Sequence, residues 1–249
     1  MAPHGRTASA REQPAGFTLT ELLVVISIIC LMMSLLLPTL TRAQRLGEQT
    51  HCLGNQHQLI MAWTQYAIDH DDLLFDPNSL RPSLQPYVQM REVFRCKSVA
   101  ENPALDKGKD SYGISNTMGG KFRDGVSPYL KLHFVSHPPE RLVLIDTEHG
   151  SEQEFWPVML DRNNWVWRPW GGVQRLTNRH NNGCNTAFAD GHGEYKHWKD
   201  DRTGKFIKGV IADAKEASSD NPDLKYMVTI VTHGWNKPLP PKEGPTGGH

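Results

Sequence analysis

FTLTELLVVISIICLMMSLLLPTL, residues 17–40, is the stretch on which the reading of this chain turns. Its only charged residue is Glu21, and between Leu22 and Leu37 nothing is more polar than serine or cysteine. As a helix rising about 1.5 Å per residue the stretch spans about 36 Å, more than the roughly 30 Å of a bilayer's hydrocarbon core. It predicts a membrane-spanning helix. A secretory signal peptide is the first rival, since Arg6 and Arg11 precede the apolar run as a basic region would. Three features oppose that rival: the run exceeds the usual length of about 7 to 15 residues, no clean small-x-small cleavage site follows it, and a carboxylate lies inside its start.

Outward from this stretch, the 249 residues leave room for a helix and one domain of roughly 150 residues. Lys plus Arg equals Asp plus Glu at 27 each, so no bulk charge favours nucleic acid or an acidic partner. The mean hydropathy is negative despite the apolar run, which concentrates the strongest hydrophobicity in one place. The flanking charges are balanced, with Arg6, Arg11 and Glu12 on one side and Arg42, Arg45 and Glu48 on the other. The positive-inside comparison is therefore a tie.

An ionised side chain in a spanning segment costs about 2.5 to 3.5 kcal/mol, which makes Glu21 a functional residue in search of a partner. One turn into the segment, it also has the option of reaching the headgroups. The string Gly16-Phe17-Thr18-Leu19-Thr20-Glu21, followed by Leu-Leu-Val-Val, resembles the signal of type IV prepilins and type II secretion pseudopilins. That resemblance implies cleavage after Gly16 by a membrane prepilin peptidase and N-methylation of Phe17. It also implies that Glu21 pairs with the N-terminal amine of a neighbouring pilin-like subunit during assembly. Pro38 falls where many pilins carry a helix-kinking proline. Orientation follows from the same resemblance: a single-pass protein of the bacterial inner membrane with its head extracytoplasmic, in the periplasm or at the cell surface.

After Pro38, Leu46, Leu53, Ile60 and Ala67 recur every seven residues, with Met61 and Ile68 beside them. This predicts a helix continuing to about Asp69 with that stripe against a globular head. Gly47 and Gly54 weaken it by about 1 kcal/mol each relative to alanine. Asp69, Asp71, Asp72 and the Asp76-Pro77 pair end it, and a solvated helix end is preferred there over a calcium site. The expected organisation is a leader at 1–16, a transmembrane helix at 17–40, a spine helix at 41–72, a head at 73–200, and a C-terminal extension at 201–249 with a disordered tail.

From residue 80 onward the chain is rich in Gly, Pro and Trp. Arg141–Asp146 reads as a buried strand, and Asn185–Asp190 and Gly193–Trp198 as two strands around a tight Asp190-Gly191 turn. Leu224–Val231 reads as a further strand. The fold class predicted is α+β, a long N-terminal helix packed on an antiparallel sheet.

No C-x-x-C pair occurs among Cys30, Cys52, Cys96 and Cys184. An exported head makes a Cys52–Cys96 disulfide reasonable, with Cys184 as the competing partner. A second resemblance covers the head. His180, nine intervening residues, then Asp190-Gly191 is similar to the H-x9-DG motif of a large group of bacterial prepilin-like proteins. Those proteins also show a spine cysteine with Asn-x-x-Gln-Leu, here Cys52 and Asn55–Leu59, as well as Phe94-Arg-Cys96 and Ser111-Tyr-Gly-x-x-Asn116 segments.

His180, Asp190 and His192, with Asp146 at a strand end, form a candidate metal or acid–base set. The competing reading has Asp190 making the turn, His180 bonding its backbone and His192 exposed. Trp165-Val-Trp-Arg-Pro-Trp170 is either an aromatic binding surface or core. No nucleophile elbow, phosphate loop or H-E-x-x-H motif is present. The expectation is a structural, assembly-competent protein without catalytic activity or cofactor, whose partners are prepilin peptidase, membrane lipid and similar subunits, not nucleic acid. A membrane-anchored metal-dependent enzyme and a monomeric binding domain are the two rivals.

Overall fold

The computed structural model describes residues 17–98, 110–148, 154–156, 158–161, 164–168 and 175–232. The chain divides into two compact units, Met1–Gln44 and Arg45–His249. Helix α1 (Leu19–Asp69) contributes to both.

In the first unit, α1 opens with a reciprocal cap. Thr18 Oγ1 accepts the Glu21 N–H at 3.3 Å, and Glu21 Oε2 accepts the Thr18 N–H at 2.9 Å. Two amides that a helix start leaves without partners are thereby satisfied. The helix runs through Pro38, which removes one backbone bond without ending it. Its apolar side chains from Leu22 to Leu37 are exposed around the whole circumference.

In the second unit, α1 buries Cys52, Asn55, Gln56, Leu59, Ile60, Ala62, Trp63 and Ala67. The seven-residue stripe is only partly the packed face: Ile60 and Ala67 are buried, whereas Leu46 is 61% exposed and Met61 and Ile68 are exposed as well. A strict seven-residue repeat drifts about 20° per heptad around a straight helix, so a stripe that is inward at one end has rotated outward at the other. The helix ends at Asp69, where Asp71 and Asp72 adopt positive φ of 54° and 70°, a conformation that aspartate tolerates. Asp72 then accepts the backbone N–H of His133 at 3.1 Å.

A short helix, α2 (Leu80–Leu84), leads to the sheet. Its strands are β1 (Tyr112–Ser115), β2 (Leu142–Glu148), β3 (Glu154–Phe155), β6 (Arg175–Leu176), β7 (Gly183–Phe188) and β8 (Gly193–His197), while β4 (Val158–Asp161) and β5 (Asn164–Trp167) form a separate hairpin. The order is β3-β1-β2-β7-β8, with β6 pairing on β2. The α+β class holds, but the sheet is mixed and not wholly antiparallel, because β3 pairs parallel to β1. Strand β1 thus lies between an antiparallel neighbour, β2, and a parallel one, β3.

The turn between β7 and β8 is one residue longer than a two-residue hairpin. Phe188 N–H donates to His192 O at 2.9 Å, enclosing Ala189, Asp190 and Gly191. Gly191 takes φ of 95°, the left-handed residue that such a three-residue loop needs.

Leu224–Val231 is not a strand. It lies in α5 (Pro222–Val231), after α3 (Asp201–Ile207) and α4 (Ala214–Ser218). Asn221 Oδ1 accepts the N–H groups of Asp223 and Leu224 at 2.8 and 3.0 Å, and Pro222 occupies the first helical position. An Asn-Pro start of this kind outweighs the β propensity of the valines and isoleucine that follow.

Two apolar clusters fill the second unit. One joins Leu59, Ile60 and Trp63 of α1 to Tyr112, Ile114, Val143 and Leu144. The other joins Leu142, Ile145, Phe188 and Trp198 to Trp165 and Trp167 and to Phe206, Leu224, Met227 and Val231. Residues 201–232 therefore share a core with the sheet. The expected disordered tail, Pro-Leu-Pro-Pro-Lys-Glu-Gly-Pro at 238–245, lies outside the described residues.

Asp223 fastens α5 to the start of α3. Wholly buried, it accepts the N–H groups of Lys199 and Asp200 at 2.9 Å each and the Thr203 hydroxyl at 3.0 Å. Asp223→Ala leaves those donors without an acceptor and is expected to lower unfolding stability by about 2 to 4 kcal/mol, measured by urea unfolding followed by tryptophan fluorescence.

Candidate functional site

The buried face of α1 presents Cys52, Asn55, Gln56 and Leu59 to the sheet, and two of these four side chains carry amides. A buried amide must find partners, and here it finds them across the sheet. Gln56 Nε2 donates to Asp146 Oδ1 at 2.9 Å and to Asn185 O at 3.1 Å. Asn55 Nδ2 donates to Arg95 O at 3.0 Å and to the Tyr112 hydroxyl oxygen at 3.3 Å. Asn185 Nδ2 donates back to Gln49 O at 3.1 Å.

Asp146 is the hub of this layer. Fully buried in β2, it also accepts the backbone N–H of Asn185 on Oδ2 at 2.8 Å, and His180 Nε2 lies 3.3 Å from the same oxygen. The same nitrogen lies 3.4 Å from Cys96 Sγ. Cys96 is disulfide-bonded to Cys52 with Cα atoms 5.3 Å apart, and Cys184 is a free buried thiol. Burial, reinforced by the Asp146 charge, pushes the Cys184 thiol well above its ordinary pKa, and the Tyr112 phenol rises for the same two reasons in the same order. Arg179 supplies the nearby positive charge, donating from Nη2 to Thr147 O at 2.6 Å and to Ser111 O at 3.2 Å.

The two ends of the His180 to Asp190 span are separated by β7. His180 precedes the strand and is 3% exposed, with its carbonyl accepting the Tyr195 hydroxyl at 2.7 Å. Asp190 follows the strand, and its Oδ1 accepts the N–H of His192 at 3.1 Å. His192 is exposed and stacks on Phe188 with ring centroids 4.5 Å apart. The proposed set of His180, Asp190 and His192 thus divides: His180 joins Asp146 and Cys96, and the other two pair with each other at the hairpin. His180 meets side chains, where the competing reading had it bond the turn backbone.

This geometry does not form a nucleophile–base–acid relay. Such a relay uses both imidazole nitrogens, one toward the nucleophile and one toward the carboxylate, whereas here Nε2 faces sulfur and carboxylate together.

Trp165 and Trp167 are fully buried, so they are core and not an exposed aromatic surface; Trp170 lies outside the described residues. At the N-terminus Phe17 is 75% exposed and Gly16 lies outside the described residues.

Residues 13–37 match the family model described as the prokaryotic N-terminal methylation motif. The chain carries a prepilin-type N-terminal motif. That motif encloses Gly16, Phe17 and Glu21 and supports a type IV pilin-like protein, which suggests a structural role. It also implies processing by prepilin peptidase. The apolar start of α1 suits a single-pass inner-membrane anchor. Comparison with curated proteins and with solved structures finds no match.

Gln56, Arg179 and Asn185 were not anticipated from the sequence as site residues. Within the Asn-x-x-Gln-Leu segment the conspicuous glutamine is Gln58, which is exposed, while Gln56 is wholly buried. The helical spacing Cys52, Gln56, Leu59, Trp63 is the signal that points to it.

Removal of the hub leaves the Gln56 amide, the Asn185 N–H and His180 without their common acceptor. Asp146→Ala is expected to cost about 3 to 5 kcal/mol and Gln56→Leu about 1 to 3 kcal/mol, whereas His192→Ala stays within about 1 kcal/mol of wild type in chemical unfolding.

Proposed function

We propose that this chain is a prepilin-like structural protein. Its leader is removed after Gly16, Phe17 is N-methylated, and the helix that follows anchors it in the bacterial inner membrane with the head on the extracytoplasmic side. The observation that carries this reading is the match of residues 13–37 to the methylation motif on a helix whose apolar side chains face outward all round. A helix with that surface has a stable environment only in lipid or against other apolar helices. The Cys52–Cys96 bond supports an oxidising compartment for the head.

Glu21 has two roles in this reading. In the single chain its carboxylate closes the cap with Thr18. In an assembly it takes up the N-terminal amine of a neighbouring subunit, since an ammonium and a carboxylate, each costly in lipid, neutralise one another only when subunits pack. A pilus and a type II secretion pseudopilus are the two assemblies that such a pairing serves, and a monomeric anchor outside any filament is the alternative. The buried position of His180 and Asp146 argues against the anchored metal-dependent enzyme as an alternative, because a general base needs reach to its substrate.

Co-expression with a prepilin peptidase, followed by intact-mass spectrometry, is expected to yield a chain starting at N-methylated Phe17. Recovery of a chain starting elsewhere sinks the proposal. Glu21→Ala is expected to be processed normally but left out of filaments; equal incorporation of the variant would overturn the assembly role of Glu21, and a processed wild type absent from filaments would mean that the chain is a monomeric anchor.

A further inference from the structure

Cys52, Cys96 and His180 come from three separate segments, yet their ligand atoms all lie within 4.8 Å of one another and all three residues are buried. His180 Nε2, already 3.3 Å from Asp146 Oδ2, also stands 3.4 Å from Cys96 Sγ, so an imidazole faces the sulfur pair directly. The surroundings also carry unused polar capacity. Gln56 Oε1 and Asn185 Oδ1 are buried and have no hydrogen-bond partner among the described residues, although the amide nitrogens of the same side chains bond Asp146, the Asn185 carbonyl and the Gln49 carbonyl. Buried polar atoms of this kind mark a site with bonding left to make.

We infer that the reduced form of this cluster is a zinc site, with Cys52 Sγ, Cys96 Sγ and His180 Nε2 as its three protein donors and the fourth position of the tetrahedron left to a non-protein ligand such as water. Two thiolates and one imidazole are the donor set that a borderline-soft, four-coordinate divalent ion prefers. The charges balance in a buried setting, since two thiolates neutralise the divalent cation. The zinc site and the disulfide use the same sulfurs and exclude each other. Reduction of the Cys52–Cys96 bond takes two electrons and two protons and yields two thiols; zinc binding then releases both thiol protons as the thiolates form, with the proton of the neutral imidazole on Nδ1 so that Nε2 is free to ligate. Either state ties α1 to the segment following the short 3-10 helix Arg91–Phe94.

The test uses the full chain in detergent, stripped of metal. It is reduced under anaerobic conditions by a water-soluble phosphine, which becomes its oxide with oxygen taken from water. Titration with Co(II) is expected to give one bound ion per chain and a thiolate-to-cobalt charge-transfer band that zinc abolishes, while the oxidised chain gives no band. His180→Gln keeps an N–H for Asp146 but is a poor zinc ligand, and is expected to bind at least about tenfold more weakly with unchanged far-ultraviolet circular dichroism. A reduced wild type without the band, folded or not, overturns the inference. So does a band that persists in the Cys52→Ser/Cys96→Ser variant, or equal affinity in His180→Gln.

Discussion

A carboxylate with no exposure to water must be satisfied from within the protein, and Asp146 imposes that requirement on the head. Its two oxygens gather an amide from α1, a backbone N–H from β7 and an imidazole from the turn before β7. The helix α1, strand β2 and the segment around β7, far apart in sequence, are thereby held in one register. Apolar packing alone tolerates sliding of a helix over a sheet; a directional polar layer does not. The disulfide from Cys52 to Cys96 lies beside this layer and secures the same helix covalently.

Strand β2 serves two cores at once. Leu142 and Ile145 belong to the cluster with the C-terminal helices, and Val143 and Leu144 to the cluster with α1. Strict alternation would not distribute them so, and the register shift between Leu142 and Leu144 against β7 is what breaks it. The second cluster explains the tryptophans: Trp165 and Trp167 on the β4–β5 hairpin are covered by α3, α4 and α5, which a chain ending near residue 200 would leave bare. Trp198 takes part in both kinds of bonding there, with its ring in the core and its indole N–H donating to Thr177 O at 3.0 Å.

The N-terminal helix obeys a different constraint. Its surface is apolar in every direction, so its stability comes from backbone hydrogen bonds completed within the segment and not from a packed face. Glu21 stands where that scheme needs help, at the first turn, and the Thr18-x-x-Glu21 spacing completes it as a capping box. One residue thus satisfies the helix start while carrying the charge on which the assembly proposal rests.

Features with a local cause were legible in the sequence: the apolar run of residues 17–40, the end of α1 at the acidic turn, the strands around Asp190-Gly191, and the methylation motif at residues 13–37. Each rests on neighbours a few residues apart, where composition and spacing act directly. The helix at Pro222–Val231 had a local signal too, in Asn221-Pro222, but its β-branched residues obscured it. The buried layer had no such signal. That Gln56 and not Gln58 meets Asp146, that His180 leaves Asp190 for Asp146 and Cys96, and that the tryptophans turn inward depends on which face of α1 packs and on what the C-terminal helices cover. Those choices are made by contacts tens to more than a hundred residues apart in the chain, and only the folded arrangement, in which every buried polar group must find its partner, decides them.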